Sequence, residues 1–266
     1  MTPVLISCVA ALAVTILLMV ATALAARSMG RVAVVDVAWG LGFVVVAITS
    51  AVVGQASDEG DAVRRWMVLA LVGAWGLRLA WHIRRRAVGH GEDPRYEKLL
   101  GGPLSQVGMA VAVRKVFVVQ GVAIWFISLP VQVGAVLDVE WWPLVYVGIA
   151  VWLIGVTFET VGDAQLAAYK QDPDRSPVMD RGLWRYTRHP NYFGDASVWW
   201  GLWLAGGLAS GWVAGLATIL APMAMTYFLV FATGARLLEQ TMMRREGYPA
   251  YAERTSMFFP LPPRRA

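Results

Sequence analysis

The stretch Arg181–Trp200, RGLWRYTRHPNYFGDASVWW, concentrates the residues of this chain best suited to chemistry. Arg181, Arg185 and Arg188 supply cations, His189 a titratable ring, Asn191 an amide and Asp195 a carboxylate, all at the front of an apolar run. Pro190 reads as an early helix residue, where its missing N–H costs nothing. The polar side chains then sit at a helix mouth whose partial positive charge favours anions. An anionic, hydrogen-bonding ligand suits that place, its phosphates gripped bidentately by arginine. Upstream, Glu159 and Asp163 lie four residues apart on one helix face, with Lys170 two turns further along the same side. On the functional reading they fix hydroxyls or an amide of the same ligand. The competing reading makes them membrane-edge carboxylates paired with loop arginines.

A second group is more N-terminal. Asp36 sits about a turn into an apolar run, and Arg78, His82 and Arg85 recur on one face of the next. Ionisable groups in such runs are expensive and usually face a cavity or a partner. A desolvated Asp36 carboxyl has a raised pKa and can donate a proton, while Arg78 or His82 can polarise a substrate carbonyl. These three are the candidate catalytic residues. The plainer alternative for Asp36 is an interfacial carboxylate paired with Arg31 or Arg78.

These residues must be held by a membrane scaffold. Of the 266 residues, 58% are hydrophobic and only 15% charged, and the mean hydropathy of +0.55 does not suit a soluble domain of this length. Residues 3 to 26 read as a retained first span rather than a cleaved signal. Further runs follow at about 32–53, 66–83, 116–137, 143–170, 190–208 and 212–238, with a polar, glycine-rich loop at 87–112 that has room for a short interfacial helix. The expected fold is an all-α, seven-transmembrane-helix bundle, one integral membrane domain over 1–266.

Lysines and arginines crowd the connections after runs one, three, five and seven, whereas those after two, four and six are acidic or uncharged apart from Arg64 and Arg65. The alternation puts the N-terminus outside, and the C-terminus and the 181–195 cluster on the cytoplasmic side of the cell membrane. The net charge of +5 therefore reflects topology and not a nucleic-acid partner.

One cysteine, Cys8, and three histidines argue against a disulfide framework or a catalytic zinc site. Dinucleotide-fold, P-loop and hydrolase-elbow motifs are missing, so a nucleotide would have to be held by side chains between helices and loops. In the tail, Arg236 and Glu239 fall on a helix leaving the last run, and Tyr248, Pro249 and Tyr251 read as a turn folding back under the bundle.

RYTRHPNYFGD, followed by WWG and closing in EGYPAYAERTSMFFP, resembles the bacterial steroid 5α-reductase-like membrane proteins. That branch belongs to a superfamily with the sterol C=C reductases and the isoprenylcysteine carboxyl methyltransferases. The resemblance is strongest over 150–260, weaker over the second and third runs and absent in the first. It implies a seven-helix bundle binding NADPH from the cytoplasm. Asp163 and Asn191 match a family Asp and Asn in cofactor contact; Glu159 stands where the family has Asn, and Lys170 where it has Arg. Arg185, Arg188, His189, Asn191, Tyr192 and Asp195 fall in the motif, and Arg236 near an Arg/His-rich stretch. The chain departs from the steroid reductases in lacking their Gln-Glu pair in span two and Tyr in span three.

The expected activity is hydride transfer from NADPH to an activated C=C bond of a steroid, isoprenoid or fatty-acyl lipid taken from the bilayer. An S-adenosylmethionine-dependent lipid or prenyl methyltransferase is the alternative, and a non-catalytic lipid-binding protein a third reading.

Overall fold

In a computed structural model, residues 2–232 and 234–264 are described, and among these no β-strand occurs. Among the described residues, six helices are long and apolar enough to cross a membrane: α1 (Pro3–Met29), α2 (Val34–Ala56), α3 (Ala62–Ala87), then Met109–Ile127, Trp142–Gln171 and Trp212–Met242. The loop after α3 does contain a short helix, α4 (Pro94–Leu100), with Asp93 as N-cap and Pro94 in its first turn. Met109–Ile127 is α5, Trp142–Gln171 α6, Pro190–Leu202 α7, Trp212–Met242 α8 and Tyr248–Arg254 α9.

Three expectations change. The run expected at 116–137 is helical over Met109–Ile127, and a separate short helix, Leu129–Gly134, follows with Pro130 in its first turn, where the missing N–H breaks the run. The 190–208 run is not one long α-helix: α7 has 13 residues, about 20 Å at 1.5 Å per residue. It continues as a π-turn, Trp203–Gly207, and a 3-10 turn, Leu208–Ser210, because Gly206 must press against the Pro130 carbonyl, where a β-carbon would come within 2.4 Å. In the tail, Tyr248, Pro249 and Tyr251 lie on α9 rather than in a turn. Left-handed Gly247 starts that helix and Pro249 occupies its first turn, where proline is tolerated.

The chain divides into two compact units, Met1–Trp142 with Ala205–Thr218, and Pro143–Leu204 with Ile219–Ala266. In the first, α2 supplies much of the core through Val35, Phe43, Val46 and Ala47. It meets α3 backbone to backbone, since a β-carbon on Gly40 would lie 2.5 Å from the Gly76 carbonyl oxygen. At the α2–α3 turn, Arg64 and Arg65 are buried at 0% and 4% exposure. Arg64 donates to the Ser210 hydroxyl at 2.6 Å and to the Leu137 carbonyl; Arg65 donates to the Ala135 carbonyl at 3.0 Å and to those of Glu59 and Gly60. These guanidiniums satisfy carbonyls that a buried chain end would otherwise leave bare.

In the second unit, α6 and α7 run along each other on glycines. Gly148, Gly155 and Gly162, seven apart on α6, face Gly201, Gly194 and Pro190 of α7; a β-carbon on Gly155 would come within 2.6 Å of the Gly194 oxygen. Small residues permit this approach, which makes dispersion contacts where water is absent. Gly155→Val is therefore expected to lower stability by about 1–3 kcal/mol through overpacking. Gly73→Ala, where an added β-carbon meets nothing within 4 Å, is expected to raise stability by up to about 1 kcal/mol. Thermal unfolding of both variants in detergent checks the pair.

Candidate functional site

The turn Arg181–His189 is strapped to α6 before α7 begins. The Leu183 amide donates to the Gln165 side chain at 2.9 Å and the Trp184 indole to the Gly162 carbonyl at 3.1 Å. Pro190 then opens α7 in its first turn, as expected. Gly194 lies so close to α6 that a β-carbon there would be 2.5 Å from the Glu159 nitrogen. This contact sets Glu159, buried at 3% exposure, and Asp163 beside the start of α7. Asn191 donates to the Asp163 carboxylate at 3.2 Å and accepts the Tyr192 amide at 3.1 Å. The Tyr192 ring stacks on His189 at 5.5 Å and 7°, and Asp195 is buried one turn further in.

Arg188 is engaged by the protein itself. Nε and one terminal nitrogen donate to the two oxygens of Glu239 at 2.6 and 2.9 Å; the other donates to the carbonyls of Ala252 and Thr255 at 2.6 and 2.8 Å. His189 Nε2 lies 3.1 Å from the same Glu239. The expected phosphate-gripping residue is thus a clamp between the RHPNY turn and the tail. Tyr251 donates to the Trp184 carbonyl, and Thr187 pairs with Ser256 in an isolated bridge.

The remaining cations of the set are exposed: Lys170, Arg181, Arg185 and Arg236, with Arg236 over the Phe231 ring at 4.5 Å. Arg175 and Arg181 help line a cavity of about 410 Å³ with Gln165 and Tyr169. Asn191, the carboxylates of Glu159, Asp163 and Asp195, and the exposed cations all belong to one unit, where they offer an amide, acceptors and positive charge to a hydrogen-bonding anion.

In the first unit, Asp36 accepts from the Tyr96 hydroxyl, and from Arg95 at 3.4 Å. Gln120 of α5 donates to the Tyr96 oxygen at 3.2 Å. Burial first, then the Asp36 charge and hydrogen bond, push the Tyr96 hydroxyl well above the ordinary tyrosine value. Arg78 and His82 lie half-buried on α3, one turn apart.

Tyr96 was not among the sequence candidates. The signal was present: Asp93-Pro94 starts a helix, and Tyr96 and Leu100 then share its buried face, i and i+4. Among the described residues no cluster of histidine, cysteine and acidic side chains could hold a metal ion.

These features define a multi-pass helical membrane protein whose RHPNY turn is locked by its own C-terminal tail. The chain belongs to the family DUF1295, proteins of unknown function, which it matches over residues 22–255. No curated protein and no solved structure matches it.

Arg188→Gln is expected to weaken tail docking by about 1–3 kcal/mol, because it leaves the mostly buried Glu239 with only His189 and Tyr248 and takes the donors from Ala252 and Thr255. Limited proteolysis would show cleavage between 243 and 264 several times faster than in the parent. Tail docking is also alkali-sensitive. Burial, followed by the Glu239 charge for Tyr248 and the neighbouring Tyr248 for Tyr251, raises both hydroxyls. A docked tail keeps them protonated where a released tail ionises them, so docking is constant below about pH 10 and weakens above it. In a tyrosinate absorbance titration, the Tyr248→Phe/Tyr251→Phe variant is expected to lose two of the late-ionising hydroxyls and to keep that of Tyr96.

Proposed function

We propose that this chain is an NADPH-dependent membrane reductase that adds a hydride and a proton across an activated C=C bond of a lipophilic substrate, such as a steroid, isoprenoid or fatty-acyl lipid. Its family is steroid 5α-reductase-like. The observation that carries the reading is the Tyr96 hydroxyl held between Asp36 and Gln120. Conjugate reduction needs such a proton donor, whereas methyl transfer to a carboxylate does not.

Bound NADPH supplies the hydride; the protein supplies position, polarisation and the proton. Asn191 and Asp163 hold the amide and hydroxyls of the cofactor, with Glu159 and Asp195 behind them. Lys170, Arg181, Arg185 and Arg236 receive its phosphates. Arg188, with His189 and Tyr192, keeps the turn in register and acts as a positioning residue.

As negative charge builds on the substrate oxygen, the Tyr96 O–H would neutralise it, leaving an enol whose return to the ketone sets the proton on carbon. At rest the Tyr96 O–H is donated to the Asp36 carboxylate; once Asp36 takes up a proton from solvent, Tyr96 can turn its O–H to the substrate and accept from Asp36 and Gln120, and the Asp36 proton then reloads the tyrosine. Arg78 and His82 remain candidates for a second contact to that oxygen. Acid, tyrosine and amide thus come from α2, α4 and α5, where the steroid reductases draw on spans two and three.

The same reading includes seven spans in the cell membrane, with the N-terminus outside and the C-terminus cytoplasmic. Two points support it. The 21 residues of Pro190–Ser210 are helical in one form or another, as α7, a π-turn and a 3-10 turn, about the number a bilayer core takes as helix. Burial of Arg64 and Arg65 removes the only basic residues from the face of the 57–61 turn, which leaves that turn acidic.

Purified protein titrated with NADPH, NADH and S-adenosylmethionine is expected to bind NADPH, and Asn191→Leu to weaken it about tenfold, the value of one or two polar contacts. With a panel of lipid-soluble enones, Tyr96→Phe and Asp36→Asn are expected to keep NADPH affinity and lose about 10²- to 10⁴-fold in turnover. Saturable S-adenosylmethionine binding without NADPH would transfer the protein to the methyltransferases. Failure to bind any nucleotide would leave a lipid-binding protein.

A further inference from the structure

A second cavity, of about 390 Å³, opens in the first unit where α1 ends, lined by Arg27, Glu97, Glu92, Ser105 and the glycines Gly30 and Gly108. Pockets of this size hold small ligands. Its walls carry opposite charges. Arg27 comes from the last turn of α1 and Glu97 from α4. Among the described residues, neither side chain has a hydrogen-bond or ion-pair partner. Glu92 is already committed: its carboxylate receives the amides of Val32, Ala33 and Asp93. It fixes the wall and leaves Arg27 and Glu97 as the free charges. An added β-carbon at Gly30 or Gly108 would meet nothing within 4 Å, so the rim stays open.

The surface leading to this cavity says what enters it. Leu17, Val20, Leu24 and Arg27 follow one another at steps of three and four, one face of α1. The three apolar members are 67%, 53% and 62% exposed. On a candidate membrane span, that ridge faces acyl chains and delivers a headgroup to Arg27.

We propose that this cavity is a binding site for a zwitterionic phospholipid with a primary amine, of the phosphatidylethanolamine class. Arg27 takes the phosphate, Glu97 and Ser105 take the ammonium, and the α1 ridge takes the chains. The arrangement discriminates by chemistry. An anionic headgroup without an amine leaves Glu97 facing negative charge, and a quaternary amine cannot donate a hydrogen bond to it. The site stands apart from the reductase reading and does not depend on it.

The test reconstitutes the full chain in a bilayer of equal phosphatidylethanolamine, phosphatidylcholine and phosphatidylglycerol, and then identifies retained lipid by mass spectrometry. Phosphatidylethanolamine is expected to be enriched on the order of threefold, the range of one partly exposed charge contact. Glu97→Gln should abolish its preference over phosphatidylcholine, Arg27→Gln should lower retention of all three, and Glu97→Lys should shift preference to phosphatidylglycerol. Both positions are exposed, so folding survives the changes. Equal retention of the three lipids by the parent, or a preference unmoved by all three variants, overturns the proposal. So does displacement of the lipid by free O-phosphoethanolamine alone, which would make the ligand a soluble zwitterion.

Discussion

One guanidinium sets the geometry of the second unit. Arg188 spends its donors on both oxygens of Glu239 and on the carbonyls of Ala252 and Thr255. Three chain segments, the RHPNY turn, the end of α8 and the tail helix α9, are thereby held by one planar fork. Lysine, a point charge on a flexible stem, offers no such set of directions. With side-chain exposures of 11% and 14%, the pair is nearly dry and would be costly if either member lacked the other. His189 and Tyr192 extend the network toward the start of α7, so the orientation of Asn191 depends on it.

The clamp works only because α6 and α7 lie so close together. Gly155 and Gly194 let the two backbones touch, and that contact brings Glu159 and Asp163 beside Asn191. Packing between lipid-embedded helices gains little from the hydrophobic effect, since lipid is as apolar as a core. Close approach of small residues supplies the attraction instead. The glycine period of seven on α6 thus performs two tasks: it joins the helices and places the polar groups.

Much of this was legible in the sequence, by different routes. Most apolar runs located their helices to within about four residues, because length and hydropathy are set locally by the bilayer; α6 was expected from about 143 to 170 and spans Trp142–Gln171, whereas the run expected at 116–137 is helical as α5 over Met109–Ile127. Pro190 at the head of α7 was legible from the chemistry of proline alone. The form of the 190–208 run was not, since its π-turn arises from the meeting of Gly206 with the Pro130 carbonyl, 76 residues earlier. Tyr96 went unseen for a related reason: its partners Asp36 and Gln120 come from two other helices. Arg188, by contrast, drew attention through its charge and motif alone, in a place where its contacts are non-local. Its charge suggested an external anion, and the fold supplied an internal one from Glu239.

That outcome belongs to a wider pattern in this chain. Arg64, Arg65 and Arg188 all point their forks at backbone carbonyls. Helix ends leave carbonyls without partners, and in a membrane protein with short turns few waters can reach them. Arginine, with five donors on a weakly hydrated plane, meets several at once. A count of basic residues near an apolar run therefore overstates what is available to a ligand, and the useful quantity is the number of guanidiniums left after the carbonyls are served. Around the RHPNY turn that remainder is Arg181 and Arg185, both exposed. They, and not the motif arginine, carry the positive field that this turn presents to its surroundings.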